Sequence, residues 1–242
     1  MMTLVTLALG LFFLIGAAFV KYNKNSQLYE HISIALAFGA MVGIALFDIG
    51  PEILEMTESA KYYLPIIGMI AGFFILTALD KFIPEHEDEE DTEYTSENME
   101  HIGIISSVAI VLHNIIEGMA VYSLAVSSPR QGIALMFGIG LHNIPMGMFI
   151  YSTLKSQMSI KRRSFMAIAS LSTFLGGLLM MVIEPYITLS FDCLLYGIAL
   201  GMILFIVIME LLPFVRKNKN RTTSIVCGII GLFIVFISTL LE

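Results

Sequence analysis

The chain has 242 residues, 57% of them apolar and 14% charged, with a formal net charge of −7. With a mean hydropathy of +0.85, that composition excludes an ordinary soluble domain and defines an integral membrane protein. Much of the acidity sits in one short segment, Glu85 to Glu93, and no basic footprint for nucleic acid is present.

A helix needs about 20 apolar residues to cross a bilayer, and the sequence offers eight such runs, near 2–20, 32–54, 63–83, 102–126, 131–154, 164–187, 192–215 and 222–241. The first lacks a basic n-region and is followed by Lys21 and Lys24, which suits an uncleaved span with its N-terminus outside. Flanking charge then sets orientation. With the N-terminus outside, the cytoplasmic loops hold Lys21, Lys24, Lys81, Lys155, Lys161, Arg162, Arg163, Arg216, Lys217, Lys219 and Arg221, and the outer loops only Lys61 and Arg130. That segregation supports the count of eight and puts both termini outside.

Gly39 and Gly43, Gly68 and Gly72, and Gly197 and Gly201 are each four apart, a spacing that lets helix backbones approach closely in lipid. Cys193 and Cys227 fall toward opposite membrane faces in this topology, which argues against a disulfide framework. Between the third and fourth runs lies a hydrophilic segment, Pro84 to Glu100, containing EHEDEEDTE. Acidic runs without aromatic residues are solvated linkers in most settings. The functional alternative is a weak cytoplasmic cation trap with His86 and His101 at its margins.

Within the fourth run, LHNIIEGMAVYS (Leu112 to Ser123) returns in the fifth as LHNIPMGMFIYS (Leu141 to Ser152). Ionisable side chains at membrane depth cost about 2.5–3.5 kcal/mol on insertion scales and by default face a cavity. His113 and Glu117, four apart, share one helix face. An imidazole nitrogen with a carboxylate oxygen suits borderline divalent ions such as zinc, iron or manganese. One helix supplies too few ligands, and the second copy adds His142 and Asn143. Pro145, lacking an N–H, takes the helical partner from the Leu141 carbonyl beside His142. If the turn between the runs centres near Pro129, the motifs lie about 13 residues before it and 15 after, so at about 1.5 Å per residue they share one depth. The helices are then antiparallel and the repeat is inverted across the membrane, a plan that recurs in transporters.

These residues resemble the ZIP (Zrt/Irt-like) family of divalent metal transporters. The family's fourth-helix HNxxEG is matched by His113, Asn114, Glu117 and Gly118, and its fifth-helix HNxPEG by His142, Asn143, Pro145 and Gly147. AFGAMVGIALFDIGPE (Ala37 to Glu52) is similar to the family's second helix, and LGMILFIVIMELLPF (Leu200 to Phe214) to its seventh. The resemblance implies an all-α bundle of eight transmembrane helices with inverted-repeat character, both termini outside, forming a single transporter domain over residues 1–242 with a short acidic cytoplasmic loop at about 84–100. It further implies that Met41 faces the metal site, Glu52 the outer mouth and Glu210 the cytoplasmic exit. Two departures stand out. Met146 occupies the place of the fifth-helix carboxylate, and the sixth helix, SLSTFLGGLLMMVI, has no Glu where the family has one. The expected centre is therefore a single site of His113, Glu117 and His142, completed by Asn114, Asn143 and Met41. Met146, Pro145, Gly118, Gly147, Asp48, Glu52 and Glu210 mark the pathway.

The function expected is transport of a divalent transition metal, zinc foremost with iron or manganese next, into the cytoplasm by alternating access between the fourth and fifth helices. The protein would sit in the cell membrane with no cofactor, the metal being the substrate. Partners are the bilayer and no nucleic acid, with a homodimer left open. The alternative is a non-transporting relative that binds or senses metal, its turnover lost with the two carboxylates. An intramembrane metalloprotease would show HExxH, but Asn114 follows His113. Sixteen methionines raise Cu(I) as a third option, although methionine is commoner as packing filler.

Overall fold

The computed structural model describes residues 2–22, 26–59, 62–81, 96–127, 129–155, 157–186, 188–217 and 220–240. Among them are eight long helical rods and no strand. α1 is Met2–Tyr22. α2 runs as Ser26–Gly43, a wider π-helical turn Ile44–Ile49, and Gly50–Ser59. α3 is Tyr63–Asp80, α4 Ser96–Ser127, α5 Pro129–Thr153 and α6 Ser159–Ile183, the last ending in a short 3-10 turn, Glu184–Tyr186. α7 runs as Leu189–Phe205, a second π-helical turn Ile206–Leu211, and Leu212–Lys217, and α8 is Arg221–Thr239. Seven of the rods pass a length and hydropathy test for membrane spans among the described residues. α5, with His142 and Asn143 in its middle, is the eighth long helix.

Several rods outrun their apolar stretches, because a helix continues wherever side chains tolerate it. α2 starts at Ser26 rather than near 32, and α6 at Ser159 rather than near 164. α4 starts at Ser96, so the last residues of the expected acidic loop are helical. The acidic run Glu85 to Glu93, with His86, lies outside the described residues.

Polarity is distributed inside out, as lipid demands. Leu4, Leu11, Ile15, Phe74, Ile229 and Phe233 are exposed, while His113, Asn114, Glu117, His142, Asn143, Ser172 and Thr173 are buried. In water this arrangement would waste apolar burial; in hydrocarbon it removes the polar groups from lipid. Several hydroxyls of the spans donate to carbonyls of their own helices, Ser107 to Gly103 O at 2.6 Å and Thr153 to Phe149 O at 3.0 Å.

Glycines set the closest crossings. Gly68 and Gly72 of α3 meet Leu194, Gly197 and Ile198 of α7, while Gly197 and Gly201 meet Pro65 and Met69 in return. Gly39 of α2 abuts Gly228 of α8, and Gly43 abuts Val235. The three glycine pairs singled out by spacing are thus helix contacts, where a Cβ would collide with the neighbouring backbone or side chain. α1 lies along α5 and α6, and α4 along α6 and α5, while α2 also touches α5. Among the seven spans other than α5, that of α4 is the most buried, at 61%, and those of α3 and α8 the least, at 22% each. The paired motif therefore sits at the centre of the bundle. Cys193 and Cys227 are both free thiols.

Candidate metal centre

The link between α4 and α5 is minimal. α4 ends at Ser127, and α5 begins at Pro129, whose fixed φ and missing N–H suit a first helical position. The two helices run antiparallel from this turn, and the motifs meet at one depth. His142 Nε2 lies 2.7 Å from Glu117 Oε1, and His113 Nε2 lies 2.8 Å from the same oxygen. The two imidazole rings stand 6.2 Å apart, centroid to centroid, tilted by 40°. All three side chains are buried, at 5%, 6% and 1% exposure for His113, Glu117 and His142. Each offers one ligand atom, and the three atoms lie within 4.8 Å of one another.

That geometry is one small opening away from a coordination shell. Zinc holds nitrogen and oxygen ligands at about 2.0–2.1 Å, which in a tetrahedron sets ligand atoms about 3.3 Å apart. Separating the imidazoles from the carboxylate by roughly half an ångström would admit the ion. Glu117 also keeps Oε2 buried without a hydrogen-bond partner, an oxygen with capacity to spare in a place where unmet acceptors are costly.

The remaining residues divide into three groups. Asn114 turns its amide to α6, where Nδ2 donates to Ala169 O at 3.1 Å; its Oδ1, like that of Asn143, is buried without a hydrogen-bond partner. Met41 and Met146 join His113, Ile44, Ile203 and Ile206 around a small apolar pocket on one side of the centre. The position that would carry the fifth-helix carboxylate is thus filled by a thioether among aliphatic chains. Gly118 and Gly147 stand at helix crossings. Gly118 abuts Thr173 of α6, with Gly176 against Ile115 in return, and Gly147 abuts Phe13 of α1. Pro145 is carried inside a continuous α5.

On the other side of the centre opens a cavity of about 560 Å³, lined by His113, Glu117, Asp48, Glu52, Ser123, Asp192 and Tyr196 among others. Asp48 and Glu52 therefore share one space with His113 and Glu117. Glu210 lies elsewhere, in a cluster with Asp80, at the end of α3, and His101, near the start of α4. His101 Nε2 is 2.7 Å from Asp80 Oδ1, and the three groups offer ligand atoms within 4.8 Å of one another.

Asp48 and Glu210 both stand in the π-helical turns of α2 and α7. Each turn has a visible cause: Pro51 and Pro213, three residues further on, lack the N–H that the carbonyls of Phe47 and Met209 would accept. Extra-wide turns of this kind are frequent at functional sites. The shared pattern, an acid followed three residues later by proline, is a sequence signal that could have found both turns. No comparable pattern pointed to Asp80 or Asp192, each an ordinary-looking acid at a helix end.

The family model for the ZIP zinc transporter matches residues 84–239, more than half of the chain. The chain belongs to the ZIP family. Among its relatives is a protein named "Zinc transporter ZupT" from Clostridium perfringens (strain 13 / Type A), 27% identical over 270 residues, covering 98% of this chain and 94% of that protein. One of the same name from Chlorobium chlorochromatii (strain CaD3) is 26% identical over 254 residues, covering 97% and 93%. A third, from Stenotrophomonas maltophilia (strain K279a), is 31% identical over 146 residues, covering 55% and 54%. As a ZIP protein the chain is a multi-pass membrane transporter of divalent metal ions, not an enzyme, and the metal is its cargo.

Proposed function

We propose that this ZIP protein carries zinc across the cell membrane into the cytoplasm by alternating access, with His113, Glu117 and His142 as the transport site between α4 and α5. The observation that carries this reading is the single, buried carboxylate oxygen held 2.7 Å and 2.8 Å from two buried imidazoles. Three protein ligands leave a fourth position open toward the cavity, and Zn²⁺ with an open position exchanges its remaining ligands more readily than one in a closed structural site. That suits a cargo ion, which must leave as readily as it arrives. The names of the ZupT relatives favour zinc among the divalent metals.

Direction and path follow from charge. Eleven basic residues on one set of loops against two on the other put both termini outside. In that orientation the cavity of Asp48 and Glu52 faces outward and the Asp80, His101 and Glu210 cluster faces the cytoplasm. Zinc then enters past Asp48 and Glu52, exchanges water for the three ligands, and leaves past Glu210. Oxygen-poor coordination disfavours calcium and magnesium, which take mainly oxygen ligands.

Uptake of labelled zinc into proteoliposomes containing equal amounts of protein tests the assignment. Glu117→Ala is expected to cut uptake by at least about tenfold, since losing one charged ligand of three costs more than the 1.4 kcal/mol that tenfold represents. Uptake equal to the parent overturns the site. Zinc binding that survives in the parent without any flux favours the non-transporting alternative.

A further inference from the structure

The cavity above the centre has an acidic wall that α2 alone does not account for. Asp192, in the first turn of α7, lines it together with Tyr196, one helical turn further along the same face. The ordinary explanation of an acid there is compensation of the helix N-terminus. That end is already capped by Thr188, whose Oγ1 accepts from the Phe191 backbone N–H at 3.3 Å. Asp192 instead faces the space shared with Asp48 and Glu52, and Glu52 stands within electrostatic range of both. Among the described residues, none of these three carboxylates forms an ion pair or a side-chain hydrogen bond. An independent sign of a ligand lies at the floor of the same cavity, where Glu117, 6% exposed, holds Oε2 without a hydrogen-bond partner.

Resting on the transport site proposed above, we infer that Asp192 is a capture residue of this carrier. With Asp48 and Glu52 it holds a hydrated divalent cation in the outer cavity before the ion sheds water and descends to Glu117. Three carboxylates from two helices, lining a space of about 560 Å³, suit an ion that keeps its water shell. The histidines below suit one that has lost it. Clefts lined by a single sign of charge raise the local concentration of the opposite ion and its rate of arrival. The effect belongs to KM rather than to the translocation step.

Zinc uptake by proteoliposomes, with KM and Vmax separated at low and at physiological salt, tests the inference. Asp192→Asn is expected to raise KM about three- to tenfold at low salt with Vmax unchanged, and the difference should narrow as salt screens the wall. Asp192→Glu is expected to restore the parent KM. Asp192→Ser serves the same purpose if the Asn variant does not insert. A KM equal to the parent's, or a fall in Vmax with KM unchanged, overturns the assignment. Glu117→Ala measured in parallel separates the two claims: if it is inactive while Asp192→Asn behaves as the parent, only the capture role fails. If it carries zinc as fast as the parent, the transport site itself fails.

Discussion

In the proposed transport site one carboxylate oxygen of Glu117 stands between two imidazoles. The nitrogens that approach Glu117 are also proton acceptors, so a proton and a metal ion compete for them, and metal binding releases protons. Acid therefore weakens binding by up to about one decade per pH unit for each proton displaced. Lowering the outside pH is expected to raise the KM for zinc with little change in Vmax, and more zinc should restore the rate. A rate that rises steadily with acid would instead mean that protons drive the cycle. Met146 sets a second expectation. It fills the place of a carboxylate with a thioether beside Met41 and His113, so Met146→Glu returns an anionic oxygen to the centre. Competition uptake of zinc, manganese and iron is expected to shift toward the harder ions in that variant; an unchanged preference would mean that the ion never passes this side of His113.

At the level of the helices, small residues do the positioning. The α4 glycine Gly118 and the α5 glycine Gly147 hold their helices against Thr173 of α6 and Phe13 of α1, so the proposed ligands Glu117, one residue before Gly118, and His142, five before Gly147, inherit their place from backbone contacts. Gly147→Leu is expected to lose about 1–3 kcal/mol through overpacking, read as a lower melting temperature in detergent and lower abundance. Zinc affinity of the protein that does fold should fall as well, because α5 can no longer seat His142. Much of this level was legible in the chain. The glycine spacings marked packing faces on α2, α3 and α7 without naming their partners, and the repeat of LHNI marked the meeting of α4 and α5, since period and spacing survive in one dimension. The destinations of Gly118 and Gly147 were not legible, because a motif that contains both ligands and glycines does not say which residues face the ion and which face a neighbouring helix. Asp192 and Asp80 were missed for a related reason: an acid at a helix end has several ordinary explanations, and only the fold shows that one lines the cavity and the other meets His101.

At the scale of the whole molecule, two acidic stations flank one buried centre. Asp48 and Glu210 each occupy a proline-widened turn, in α2 and α7, and each stands on its own side of the histidines. The proposed alternating access requires that the ion reach one of these acids at a time; among the described residues, the cavity that His113 and Glu117 share with Asp48 and Glu52 is not lined by Glu210. The central claim is that His113, Glu117 and His142 share a single ion. Zinc K-edge absorption of the purified protein at one equivalent of zinc, compared with His142→Ala, tests it most directly. The account predicts two imidazoles and at least one oxygen at about 2.0–2.1 Å in the parent, and one imidazole fewer in the variant with weaker zinc retention. The same imidazole count and the same retention in both proteins would contradict it.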